Sequence, residues 1–145
     1  MAVALDYLAK VLLDAPVGSV EHTLEEILRR PVHLDVIEQK AISETKYVRT
    51  VVISFGQTPI VRATVSFDSK NIPKLIMKEL LRKKKGIGKI LGKLNITVQR
   101  NTLEINIESD GKKLTRHYEI WHDNLIWFEI NEEIRLDLLN TNQNT

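Results

Sequence analysis

The 145-residue chain contains no cysteine and no long apolar stretch. Without thiols, the chain has no disulfides, thiolate zinc sites, iron–sulfur clusters or cysteine nucleophiles. No apolar run approaches the roughly 18–20 residues that a membrane helix needs. The first residues, Met1 to Asp6, have no basic stretch before their apolar part. We therefore expect no membrane span, no secretory signal and a cytoplasmic location.

Glycine and proline are sparse as well, with six and four residues, and no linker rich in them divides the chain. The hydrophobic fraction of 43% and charged fraction of 28% are typical of a globular protein. The length matches one domain, for which roughly 100–200 residues is usual. The sequence therefore predicts a single domain over residues 1–139 and a disordered polar tail over residues 140–145.

The spacing of apolar residues changes along the chain from helical to alternating. Helical spacing predicts two helices before Pro31 and a basic amphipathic helix over residues 73–84. Alternation predicts six strands, at residues 32–39, 47–55, 60–67, 96–107, 113–121 and 125–131. The inward face of the basic helix is expected to hold Ile72, Leu75, Ile76 and Leu80. Strands joined by hairpins, most clearly at Asp110-Gly111, indicate an α+β fold: an antiparallel β-sheet with covering helices.

Two charged residues interrupt apolar rows on these strands. Arg49 shares its strand face with Tyr47, Val51, Ile53 and Phe55, and Glu129 shares its face with Leu125 and Trp127. Because an isolated buried charge costs several kcal/mol, each must be paired or hydrogen-bonded. One interpretation is that the two pair with each other or lie at a sheet edge in water. The other is a cavity for a polar ligand, with Arg49 on a carboxylate and Glu129 on a hydroxyl.

Positive charge is concentrated in one window. Residues 70–100 hold ten Lys or Arg and one acid, so the window carries +9 within a chain of net charge +2. If the basic helix continues, seven of these residues form a stripe, which is typical of a solvated face or of a nucleic-acid surface. The window has no aromatic residue for base stacking. The four histidines show no metal-ligand spacing, so we expect no metal site.

Several short segments form an ordered series. They are Gly18-Ser19-Val20 with Leu24-Glu25; Tyr47-Val48-Arg49; Gly56-Gln57-Thr58-Pro59-Ile60 with Ala63-Thr64-Val65; Gly86-Ile87-Gly88-Lys89-Ile90-Leu91; Arg100 with Leu103-Glu104-Ile105; and Asp123-Asn124-Leu125 through Glu129. In order and spacing, from about residue 18 to residue 130, they resemble the chorismate pyruvate-lyase family, particularly its short bacterial and archaeal branch.

The resemblance implies an activity and a set of site residues. The family eliminates pyruvate from chorismate to give 4-hydroxybenzoate, with neither a metal nor an organic cofactor. Arg49 would hold a carboxylate, and Glu129 would bind the ring-oxygen end and assist proton movement. The backbone at Val20 and Ile87 would contact the ligand from two covering segments. This sequence has Ala63 where some lyases have a second ligand-binding Arg.

Three functional hypotheses follow. The first is a chorismate lyase-like enzyme that takes chorismate as its small-molecule partner. The second is a non-enzymatic sensor or carrier of a small aromatic carboxylic acid. The third and weaker one is nucleic-acid binding through the basic residues.

Overall fold

In the described part of the chain, a six-stranded antiparallel sheet forms the centre of the fold. The computed structural model describes the backbone of residues 2–143 and the side chains of residues 7–139. The strands are β1 (His33–Ala41), β2 (Lys46–Phe55), β3 (Thr58–Asp68), β4 (Gln99–Ile107), β5 (Lys113–His122) and β6 (Leu125–Arg135). Their order across the sheet is β1-β2-β3-β6-β5-β4. Together with the helices, this sheet confirms the predicted α+β class.

Within residues 2–143, five helices accompany the sheet, and their apolar residues pack against one of its faces. They are α1 (Ala2–Asp14), α2 (Val20–Leu28), α3 (Lys74–Leu81), α4 (Ile87–Lys93) and α5 (Leu136–Gln143). Helices α1, α2 and α5 form one apolar cluster with the row Ile53, Val61, Leu114 and Ile134. Helices α3 and α4 form a second cluster with a neighbouring part of the same face. None of the helices in the described part of the chain is long and apolar enough to cross a membrane.

Most predicted strand boundaries agree with the structure within a few residues, and the helices show the larger differences. Helix α3 ends at Leu81, and Lys83 adopts a left-handed φ of 57° before α4 begins at Ile87. The basic residues therefore do not lie on one continuous helix, so the condition for a continuous basic stripe, that the helix continues, is not met. The prediction that Leu75 faces inward is wrong, because this residue is 67% exposed.

Helix α5 was not foreseen. It starts directly after β6, and Leu136 and Leu139 are buried in the cluster with α1. The predicted tail, residues 140–145, overlaps the end of this helix, while residues 144 and 145 lie outside the described residues. The single domain over residues 1–139 stays a prediction.

Two glycines bring the covering segments together. Gly18, with a φ of +83°, lies between α1 and α2, and Gly88 lies in α4. A Cβ added at Gly88 would lie 2.2 Å from the Gly18 carbonyl oxygen and 2.4 Å from the Gly18 Cα. Only glycine permits such a close approach of two backbones. The α1–α2 connection and the start of α4 are therefore in direct contact.

This contact predicts opposite effects for two alanine substitutions in the same helix. Gly88→Ala should lower the free energy of unfolding by about 1–3 kcal/mol, because the added methyl group would overlap the backbone of Gly18. Gly92→Ala should raise it by about 0.5–1 kcal/mol, since nothing lies within 4 Å and alanine favours the helix. Urea unfolding of the two variants checks this. Equal effects of the two substitutions would contradict the proposed packing.

Candidate functional site

A small cavity lies between the sheet and the two covering segments. Its volume is about 90 Å³. The floor is made by aliphatic residues of β2, β3, β5 and β6, including Val51, Ala63, Val65, Ile120 and Ile130. The cover is made by the α1–α2 and α3–α4 connections with the first residues of α2 and α4. Three charged side chains, Arg49, Glu132 and Glu21, line this otherwise largely apolar space.

Arg49 is the largest fully buried polar side chain of the described residues, with 0% exposure. Its Nε donates a hydrogen bond to the Gln39 side-chain oxygen at 2.8 Å. Its two terminal nitrogens donate to the carbonyl oxygens of Lys85, at 2.8 Å, and Leu80, at 3.1 Å. The Leu80 carbonyl lies in the last turn of α3, at the negative end of the helix dipole. The helix end therefore helps to stabilise the buried cation.

Arg49 nevertheless has no acidic partner among the residues whose side chains are described. A guanidinium has five N–H donors, and three of them have acceptors within the described part of the chain. Burial lowers the pKa of Arg49 from its ordinary value to about 10. The side chain therefore stays charged at neutral pH. The charge of Arg49 beside an apolar cavity is chemically suited to an anion, and its forked geometry suits a carboxylate.

Glu132, on β6, provides the second buried charge of the cavity. Its Oε1 accepts hydrogen bonds from Arg116 Nη2 at 2.7 Å and Nε at 3.1 Å. Its Oε2 accepts one from the Tyr118 hydroxyl at 3.2 Å. Burial, with the negative charge of Glu132 beside it, raises the pKa of Tyr118, which therefore keeps its proton as the donor. The Arg116–Glu132 pair adds no net charge to the cavity.

The register places Arg49 and Glu132 at a defined separation. Arg49 is opposite Val65, which is opposite Ile130, and Glu132 lies two residues further along β6. Two strand spacings and two residues correspond to about 12 Å between the Cα atoms. Apolar side chains lie between them. The arrangement suits a ligand with an anionic end, a flat apolar body and a polar far end.

Glu21 lies at the cover of the cavity. Its carboxylate forms an ion pair with Lys89 of α4 at 3.0 Å, and Glu21 is the more buried member of the pair. The pair connects α2 to α4 next to the Gly18–Gly88 contact. Because one member is largely exposed, it contributes little to stability. It does cancel the charge of Glu21, which leaves Arg49 as the unpaired charge of the described lining.

The structure brings three of the four predicted site residues to this cavity. Arg49, Val20 and Ile87 line it, the last two at the first positions of α2 and α4. Their contact with a ligand stays a prediction. Arg49 and Glu129 do not pair with each other, and Arg49 is not at a sheet edge.

Glu129 is placed elsewhere, which corrects the alternation inferred for its strand. It lies opposite Ser66 and Glu119, with its carboxylate 3.4 Å from His117 Nε2 on the sheet face away from the cavity. The register of β5 and β6 shifts near Trp127, between the pairs Ile120↔Phe128 and Trp121↔Ile126. This irregularity buries both Trp127 and Phe128. Because a bulge changes which residues share a face, Trp127 and Glu129 do not point to the same side.

Glu132 was missed because the strand was predicted to end at residue 131, whereas β6 continues to Arg135. The signal was nevertheless in the sequence. Ile130 and Ile134 are apolar at even positions, and Glu132 interrupts that row as Arg49 interrupts the row on β2. The same alternation in β5 buries Arg116 and Tyr118 between Leu114 and Ile120.

Ala63 lies in the cavity floor, directly across the ladder from Glu132. Its neighbour Arg62 pairs with Val52 and Glu133 on the other face of the sheet and is exposed. Arg62 therefore does not supply a second cation to the cavity.

Comparison with known proteins finds similarity in sequence and in structure. No known family profile matches the chain. A Methanocaldococcus jannaschii protein named "Putative lyase MJ0807" is 28% identical over 140 residues, which cover 85% of this chain and 75% of that protein. A crystal structure of a GntR-family transcriptional regulator from Bacillus cereus superposes with a TM-score of 0.47 and 11% identity. It covers 72% of this chain and 91% of that one.

The different surroundings of the two glutamates in β6 predict different effects of the same substitution. Glu132→Gln should lower the free energy of unfolding by about 3–5 kcal/mol, because it leaves the buried Arg116 without its counter-charge. Glu129→Gln should change it by less than about 0.5 kcal/mol, since that side chain is 46% exposed. Urea unfolding midpoints, compared at an unchanged m-value, measure both. A larger loss for Glu129→Gln would contradict the two placements.

Proposed function

We propose that the cavity binds a small aromatic carboxylic acid and that the chain is a chorismate lyase-like enzyme, which eliminates pyruvate from chorismate to give 4-hydroxybenzoate. The observation that carries the proposal is Arg49: a fully buried guanidinium lining an apolar cavity, with no carboxylate partner among the described side chains. Its free donors and its charge suit the carboxylate of the ligand. The similarity to the archaeal protein that is named a lyase supports the proposed reaction class.

Glu132 takes the role that the sequence had suggested for Glu129. An ionised carboxylate offers about four acceptor sites, and the described structure uses three of them for Arg116 and Tyr118. A ligand hydroxyl at the far end of the ring would donate to a remaining site. The ligand would thus lie with its carboxylate at Arg49 and its hydroxyl at Glu132.

The size and polarity of the cavity suit this ligand. Its volume of about 90 Å³ is well below the ~300 Å³ at the lower end for drug-sized ligands. That volume favours a compact, single-ring molecule. The aliphatic floor would contact the faces of the ring, while the covering segments keep water from it.

The elimination requires the protein to orient the substrate and to assist one proton transfer. The bond between the ring carbon and the enolpyruvyl oxygen breaks, and the adjacent hydroxyl-bearing ring carbon loses its proton. The enolpyruvate gains a proton to become pyruvate, and the ring becomes aromatic. A dry cavity that holds the ether in the reactive conformation supplies orientation. Glu132, next to the hydroxyl end, is the group in position to assist the proton movement.

A specific observation favours a second candidate, a binding protein for the aromatic acid without turnover. Within the described lining, the cavity has one unpaired positive charge, since Glu132 and Glu21 are each matched by a cation. Chorismate carries two carboxylates, whereas 4-hydroxybenzoate carries one. With Ala63 in the floor, the second carboxylate of chorismate has no arginine there.

The first test is to incubate chorismate with the pure protein and to follow 4-hydroxybenzoate by chromatography against a protein-free control. We expect a product peak, and we expect Arg49→Lys to lower kcat/KM at least tenfold because lysine loses the forked donors. Arg62→Lys, on the other face of β3, is the matched control and should leave the rate unchanged.

The same samples separate the two candidates. No product, combined with a melting temperature raised by 4-hydroxybenzoate in the wild type and not in Arg49→Lys, would favour the binding protein. No product and no thermal shift would rule out both functions for this cavity.

A further inference from the structure

The outer edge of β4 is unusually apolar for a sheet edge. β4 is the last strand of the sheet, with β5 on one side and no strand on the other in the described part of the chain. Leu103, Ile105 and Ile107 are 49%, 47% and 39% exposed. Ile105 and Ile107 lie opposite Arg116 and Leu114 on β5. They are therefore on the same face of the sheet that the helices cover near its centre. The apolar row of the core thus continues into solvent at this edge.

The backbone of β4 has groups available for another strand. The Glu108 N–H donates to the Lys113 carbonyl at 3.0 Å, so Glu108 directs its backbone groups toward β5. In an antiparallel ladder this direction alternates from residue to residue. Ile107 and Ile105 therefore direct their N–H and C=O groups outward. Unpaired groups of this kind form a template for strand addition.

The opposite edge of the sheet, β1, is protected. Charged side chains alternate along it, with a His33–Asp35 hydrogen bond and a Lys40–Glu38 ion pair. The register of β1 also shifts between Val36 and Glu38, which makes Ile37 a bulge residue. Charges and bulges are the devices by which edge strands avoid pairing. β4 has a bulge at Leu103 but no charged side chain after Glu104 within the strand.

We propose that two copies of this chain associate through β4, antiparallel about a two-fold axis at Ile105, to form one continuous sheet. In this register Ile105 lies opposite Ile105 of the second copy, and Ile107 lies opposite the bulge at Leu103 of that copy. Glu104 lies opposite Asn106, and no like charges face each other. The sequence of this segment is therefore compatible with itself in the antiparallel direction, and Ile105 and Ile107 of each copy become buried at the new junction.

Sedimentation across a range of protein concentrations tests the association. The wild-type mass should approach that of two chains, and Ile105→Lys should weaken association at least tenfold because it places two lysines opposite each other. Ile37→Lys on β1 is the matched control, at a similarly exposed isoleucine, and should associate as the wild type does. Far-UV circular dichroism confirms that each variant is folded. A wild type that stays monomeric would overturn the proposal and leave this edge to a strand of another protein.

Cross-linking tests the register independently. Because the chain has no cysteine, Ile105→Cys and Ile37→Cys each introduce a single thiol. Directly opposed residues have Cα atoms about 5.5 Å apart, within reach of a short bifunctional thiol reagent. We expect a covalent dimer from Ile105→Cys and none from Ile37→Cys under the same conditions. Cross-linking at Ile37→Cys alone, or equally at both positions, would contradict an interface centred on β4.

Discussion

The site depends on a guanidinium that is buried without a carboxylate. Arg49 stands in the middle of β2, and its three acceptors come from three other parts of the chain: the Gln39 side chain of β1, the end of α3 and the connection after it. Gln39 also donates to the Leu80 carbonyl, so sheet and helix end are joined twice. Burying such a charge is costly, and neutral acceptors offset the cost only in part.

That arrangement connects Arg49 to the cover of the cavity, so the proposed ligand would contact both. The Lys85 carbonyl, which accepts a hydrogen bond from Arg49, is next to Gly86, the residue that precedes α4. Two residues later, Gly88 contacts Gly18 of the other covering segment. The side chain that would hold the ligand carboxylate therefore also holds the segment that lies over the ligand. At the far end, Arg116 and Tyr118 fix Glu132 in the same way, so both polar ends of the cavity are held before a ligand arrives.

The parts of the site that were predictable lie on regular strands. β2 alternates without interruption across the segment that contains Arg49, so the odd charge on its apolar face could be identified from the sequence. β6 contains an irregularity at Trp127. It is recognised from the pairing of β6 with β5 and cannot be recognised from the sequence of β6 alone. This is why Glu129 was assigned to the wrong face and Glu132, beyond the predicted end of the strand, was missed. The end of α3 at Leu81 and the burial of α5 likewise depend on tertiary contacts, which the spacing of apolar residues in the sequence does not reveal.

The most direct test of the account is a crystal structure of the protein with 4-hydroxybenzoate. The account predicts the ligand between the sheet and the two covering segments, with its carboxylate oxygens about 3 Å from the Arg49 guanidinium nitrogens. Its hydroxyl should face Glu132. An empty cavity at saturating ligand, or a carboxylate bound at the exposed basic residues between α3 and α4, would contradict the central role of Arg49.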